Sequence, residues 1–219
     1  MTVPSESRAD EIIEVVIDLL DSGGYDAVQV RTVASRARVS LTTIYKLYGT
    51  LDQLTATALE RWMETHAYAE LDMPYPDESP YDILVRVLRT VFEPWERHPR
   101  MLEAHYRLQG SSVGEWLFNQ GVEIVRPLTE AALRTADPAF VGDLELIYSH
   151  FLRGVLARFA DGEIKVAEIL PILERGLRRL ITDSQIQSAR TQTPRSRRQV
   201  KSTSAEPRQP TSDRRPRSA

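Results

Sequence analysis

Residues 26–54, DAVQVRTVASRARVSLTTIYKLYGTLDQL, constrain the chain more than any other stretch, because they read as a helix-turn-helix. Val30, Val33, Ala34 and Ala37 fall at the i, i+3, i+4, i+7 spacing of one buried helical face, which predicts a short helix over 30–37. Arg38 and Val39 make the turn. Ser40 is placed to cap a second helix over 41–48, its hydroxyl accepting from an otherwise unpaired backbone N–H. Ile44 and Tyr48 then face inward, which leaves Leu41, Thr42, Thr43, Tyr45 and Lys46 near the exposed side and N-terminal end, where a recognition helix meets base edges and phosphates. Between Ala27 and Tyr48 stand Arg31, Arg36, Arg38 and Lys46 with no acidic residue, in a chain of net charge −3. That local excess is where a polyanion would dock.

Val30-Arg31-Thr32-Val33-Ala34, Ala37-Arg38-Val39-Ser40, Thr43-Ile44-Tyr45, Tyr48 and Leu54 together resemble the signature of the TetR family of bacterial transcriptional regulators. The resemblance implies a homodimer in which both heads bind one palindromic double-stranded DNA operator. It also implies a C-terminal domain that holds a small hydrophobic effector and releases DNA when the effector binds. Arg38 stands where the family's turn often has Gly, Leu47 where an aromatic or His usually touches phosphate, and Leu51 where a phosphate-binding Lys is usual. Two phosphate contacts are thereby lost, and Arg31, Ser40, Thr43, Tyr45 and Lys46 carry more of the anchoring, or other segments help. Each of these residues also has a purely structural reading. Tyr45 packs, Thr43 supports its own helix, Arg31 pairs with Asp26 instead of clamping a phosphate, and Leu41 is covered by protein instead of meeting a thymine methyl.

The 219 residues are 42% hydrophobic, enough for a sizeable core in one or two domains. With no cysteine, disulfides, thiolate metal sites and cysteine nucleophiles are excluded. The start, MTVPSESRADE, lacks a basic stretch followed by an apolar one, and no run is long enough to cross a membrane, so a cytoplasmic protein without membrane contact is expected. Residues 185–219 carry nine Arg or Lys against Glu206 and Asp213, a charge of +7, which leaves −10 on the rest. With four prolines and few large apolar side chains, that basic tail is expected to be disordered. Nonspecific attraction to DNA and an inert solvated end are equally open readings of it.

The segmentation that follows is a DNA-binding domain over 1–50, a connecting helix over 51–72, a helical effector-binding and dimerisation domain over 73–184, and the tail. An amphipathic helix over 8–22 ends at Gly23-Gly24 and precedes the helix-turn-helix. MPYPDESP, residues 73–80, breaks the connecting helix. Helices are predicted over 81–97, with Pro94 inside, then 100–109, 113–135, 138–160 and 165–182, and no strand pattern is found, so the class is all-α. The last two helices carry broad stripes, Leu144, Ile147, Phe151, Leu152, Val155 and Phe159 on one and Val166, Ile169, Leu170, Leu173, Leu177 and Leu180 on the other. Such stripes are expected at a dimer interface; burial within a monomer is the alternative.

Phe92, Trp95, Met101, Tyr106, Trp116, Phe118, Tyr148 and Phe151 are the side chains in this domain large enough to line an apolar effector cavity, although each taken singly reads first as core. GGYDAVQVR and residues 81–107 are similar to repressors of sterol and lipid catabolism, a likeness that implies a lipid, sterol or acyl-CoA-like effector. His66, His98, His105 and His150 have no i, i+4 pairing and no clustered carboxylates, so no metal or other cofactor is expected. His105 and His150 read first as satisfied core or surface histidines and second as partners for a ligand's polar group. Nothing supplies the base and oxyanion donors of covalent catalysis, so no enzymatic activity is expected. The competing function is an architectural DNA binder without an effector.

Overall fold

The structure is a computed structural model that describes residues 4–75 and 77–181, with side chains from Arg8 onward; the basic tail lies outside the described residues. These form nine α-helices and one 3-10 turn with no strand among them, the all-α class expected. The head comprises α1 (Pro4–Gly23), the 3-10 turn (Tyr25–Ala27), α2 (Val30–Arg36) and α3 (Leu41–Tyr48). Ile12, Val16, Leu20, Val33 and Ile44 form its interior, all at most 2% exposed. These are the inward positions of three amphipathic helices, of which α2 and α3, at 7 and 8 residues, are too short to hold their shape alone. Gly49, at φ 73°, ends α3, and the Tyr48 hydroxyl donates to the carbonyl of Ala9 at 3.1 Å, fixing the second helix of the motif against α1.

The connecting helix α4 (Leu51–His66) opens with a capping box that satisfies two backbone donors. Thr50 Oγ1 accepts from the Gln53 N–H at 3.1 Å, and Gln53 Oε1 accepts from the Thr50 N–H at 3.1 Å. It ends at His66, earlier than the expected 72. The N–H groups of Ala67 and Tyr68 both donate to the Met63 carbonyl, at 2.8 and 2.9 Å, and the chain turns there so that Tyr68 packs into the body. Leu51, where a phosphate-binding lysine is usual, packs against the core.

The body contains α5 (Pro80–Arg97), α6 (Pro99–Arg107), α7 (Ser112–Leu133), α8 (Pro138–Ala160) and α9 (Val166–Leu180). Helix α5 runs on through Pro94, whose neighbours Phe92 and Trp95 are buried. It packs against α7 and α9, and α8 packs against α9. Ile169, Leu170, Leu173 and Leu177 of α9 are buried within the chain itself, so this part of the expected dimer stripe already has partners. On α8, by contrast, Leu146 and Ile147 are 61% and 50% exposed.

Helix α7 starts where the backbone of α6 ends, and only a residue without Cβ fits. A Cβ on Gly114 would overlap the carbonyl of Leu108 and come 3.0 Å from the backbone nitrogen of Gln109. Gly114→Ala is therefore expected to lower stability by about 2 kcal/mol, because rigid backbone rather than a mobile side chain must move. Gly142→Ala on α8, with nothing within 4 Å of the new methyl, should stabilise by about 1 kcal/mol through helix propensity. Urea unfolding of the two variants checks both signs.

Candidate functional site

The outer face of α3 is built from its own cap. Ser40 Oγ accepts from the Thr43 N–H at 3.1 Å and lies 2.9 Å from the Thr43 hydroxyl, so these two side chains hold the N-terminal turn open to solvent. Leu41, Thr42, Tyr45 and Lys46 are exposed on that turn and the next, while Thr43 is half-buried and Ile44 is in the core. Tyr45 is 53% exposed with no packing partner to explain it. Arg31, Arg36, Arg38 and Lys46 form no ion pair among the described residues. Arg31 in particular does not pair with Asp26, whose carboxylate lies 3.5 Å from Arg107 instead. The face is thus a cationic surface whose charges are not neutralised locally.

Between the two helices, Arg38 sits at φ 54°, the one non-glycine residue with positive φ among those described. The left-handed backbone that the turn requires explains why glycine is common at this position in the family that the motif resembles. Arg38→Gly is expected to raise stability by about 0.5 to 1 kcal/mol, the relief of αL strain less the extra chain entropy of glycine, as a shift in thermal midpoint will show.

A cavity of about 740 Å³ lies in the body, within the size range of small-molecule sites. Val87, Val91, Phe92 and Trp95 of α5, Leu102 and His105 of α6, Leu117 and Phe118 of α7, and Leu144, Tyr148, Leu152 and Leu156 of α8 contribute to its walls. Of the eight aromatic and methionine residues expected there, Phe92, Trp95, Phe118 and Tyr148 line it. Met101, fully buried, and Tyr106 pack into the general core, Phe151 lies behind Tyr148 against Gly176, and Trp116 is 43% exposed on the outer side of α7. Tyr68 and His105 are polar groups in the lining; the sequence offers His105 as a second-ranked partner for a ligand's polar group but does not mark Tyr68. Tyr68 lies in the turn beyond α4 and has no helical stripe to mark it. His105 is 6% exposed and its Nδ1 has no hydrogen-bond partner, so it is not a satisfied core histidine. Burial pulls its pKa down to about 4. His150 is exposed at the rim, its Nδ1 2.8 Å from the Leu146 carbonyl.

The cavity wall reaches the head through stacked rings. Trp95 lies 4.6 Å from Trp62 of α4, between centroids, and 5.7 Å from His105; Trp62 also stacks on His66 at 4.9 Å and meets His98 edge-on at 5.6 Å. The connecting helix is not the sole joint between head and body. His98 Nδ1 lies 2.8 Å from Asp21 at the end of α1, Arg100 donates to the Ser22 carbonyl, and Arg107 reaches Asp26. The body therefore contacts α1 and the 3-10 turn as well as α4.

A helix-turn-helix head with an unneutralised outer face, joined by buried rings to a helical body around an apolar cavity, defines the class as a helix-turn-helix protein with a second, apolar site in its body. Residues 78–180 match the family described as "Tetracyclin repressor-like, C-terminal domain". The chain is 29% identical over 102 residues, 47% of each chain, to the HTH-type transcriptional repressor KstR of Rhodococcus jostii. It is 30% identical over 115 residues to an HTH-type transcriptional repressor of Mycobacterium tuberculosis, covering 52% of this chain and 54% of the relative. These matches span about half the length of the curated relatives. Among solved structures, a TetR transcriptional regulator from Rhodococcus sp. RHA1 superposes with a TM-score of 0.62 at 19% identity, covering 83% of this chain and 98% of that one. The multidrug binding protein EbrR, complexed with proflavin, gives 0.53 at 22%, covering 80% and 99%. The fold is that of the TetR regulators, as the helix-turn-helix residues imply. No described helix is long and apolar enough to cross a membrane, and no group of three or more metal-ligating side chains is found among the described residues.

Proposed function

We propose that the protein is a homodimeric transcriptional repressor that leaves a palindromic operator when a small hydrophobic molecule enters the body cavity. The observation that carries this reading is the direct ring contact between Trp95, in the cavity wall, and Trp62, in the helix that carries the head. A molecule wedged against Trp95 displaces α4, and with it the separation of two recognition helices that must both fit one duplex. Arg31, Tyr45 and Lys46 anchor phosphates, Ser40 and Thr43 shape the N-terminal turn, and Leu41 and Thr42 meet base edges. Pairing of two copies uses the apolar surface of α8 around Leu146 and Ile147 together with exposed Ile124 and Val122 of α7. The likeness to repressors of sterol and lipid catabolism makes a lipid, sterol or acyl thioester the effector class of choice, and a cytoplasmic location follows from the function.

Coupling between two sites is reciprocal and typically amounts to about 1 to 3 kcal/mol. Effector titrations with and without bound operator should therefore differ by the same 5- to 150-fold factor by which effector weakens operator binding. If the two factors disagree, or if apolar extracts and acyl thioesters leave both the melting temperature and operator affinity unchanged, the effector reading fails and an architectural DNA binder is the better description.

A further inference from the structure

Resting on the operator reading above, we propose that Tyr25 is a positioning residue for DNA binding: its hydroxyl, bonded to Asp52, and its ring, approached by Arg107, set the angle of the recognition helix against the body. Three segments far apart in the sequence meet at this side chain. Tyr25 opens the 3-10 turn between α1 and α2. Its hydroxyl donates to Asp52 Oδ1, in the first turn of α4, at 2.5 Å. Arg107 is the last residue of α6, and its guanidinium lies 5.5 Å from the Tyr25 ring centroid and 3.5 Å from the Asp26 carboxylate. Helix α6 itself packs against the 3-10 turn.

The bond acts where the recognition helix can turn. Only Gly49 and Thr50 separate α3 from α4. Two phenol hydroxyls bracket that elbow: Tyr48 holds the end of α3 to the Ala9 carbonyl of α1, and Tyr25 holds the start of α4. Further along α4, Trp62 meets Trp95 of the body. Asp52 and Trp62 are ten residues apart, about 15 Å along the helix axis. A helix held at two such points cannot tilt about one without straining the other. Burial, and after it the bond to Asp52, push the phenol's pKa up to about 12, so it stays a neutral donor at physiological pH. A half-buried hydroxyl donating to a carboxylate makes a short, charge-assisted bond. The ion pair of Arg107 with Asp26 is exposed on both sides and adds little, so Arg107 acts chiefly through the Tyr25 ring.

The chain has no cysteine, so Ser35→Cys on the exposed side of α2 gives each head a single spin-label site. The pulsed-EPR distance between the two labels of the dimer should be one narrow peak in the otherwise wild-type chain and a broad distribution with Tyr25→Phe. Without the label, Tyr25→Phe should bind the DNA fragment that the wild type protects about 10-fold more weakly. Random duplex, held by charges that the substitution leaves in place, should change by less than about 2-fold. Asp52→Ala should lower the ratio of the two affinities equally, and Asp52→Asn, which keeps an acceptor, should preserve it. The double variant Tyr25→Phe/Asp52→Ala should fall no further than either single one. Arg107→Gln should lower the ratio about 3-fold. A lower melting temperature with the ratio and the distance peak unchanged would mark a purely structural bond and overturn the proposal. A wild type that prefers no fragment overturns the operator reading, and the distance peak then decides the positioning role by itself. No inter-label distance at all would refute the dimer and both readings with it.

Discussion

A protein carrying both Tyr45→Phe and Lys46→Ala is expected to bind its operator about 1,000-fold more weakly at 0.15 M salt than the wild type, with the same loss on every DNA sequence. In the proposed dimer each contact is made twice, so the pair of substitutions is expected to remove four phosphate interactions. The lysine change alone should flatten the dependence of log affinity on log salt by about two, one for each charge lost from the dimer. Both side chains are exposed and bear no packing load, so the folded state should melt as the wild type does. Thr42→Ala should behave differently, relaxing preference at one position in each half-site with a smaller loss of affinity. Titrations against operator and random duplex at three salt concentrations distinguish the two patterns. A double variant with wild-type affinity removes α3 from the interface.

The second large effect is a pH dependence of stability. In the unfolded chain an imidazole takes its proton near pH 6.5, whereas His105 in the fold does so only near pH 4. Between those values the unfolded state binds more protons, so His105 costs the protein stability as the pH falls from about 7 to 4. Above pH 7 it has no such effect. The full loss is roughly 3 kcal/mol, and about 2 kcal/mol of it should be present at pH 5. His105→Phe should lose that part of the slope and keep the slope due to every other group. Urea unfolding of the two proteins at pH 7.5, 6 and 5 gives the difference directly; parallel curves would mean that the buried ring is protonated in the folded state.

The head was legible in the sequence because its determinants are local. A cap at Ser40, four apolar residues at helical spacing and an inward Ile44 define two short helices wherever they occur, and the observed α2 and α3 fall where those signals place them. The strained Arg38 was visible only as a departure from the expected glycine; its φ shows what the departure costs. The end of α4 was not legible, because the helical periodicity of the sequence does not register that Tyr68 turns back to be buried. Periodicity also tells inward from outward but not core from cavity wall. Phe92 and Met101 both face inward on neighbouring helices, yet one lines the cavity and the other is enclosed by the core. The stripe of α9 shows the same limit: burial was read correctly, but the burying partner turned out to be α5 and α8 of the same chain. The orphaned nitrogen of His105 had no sequence signature, since only the packing around it shows that nothing bonds to it.

The exposed face of α3 is expected to read one particular operator. Selection of fragments from genomic DNA by the purified full chain, followed by footprinting and competition, tests it most directly. A protected palindrome is expected, with two half-sites about one helical turn or more apart, held at least 1,000-fold more tightly than random duplex. Fragments with no shared sequence, bound at a ratio near one, would contradict it.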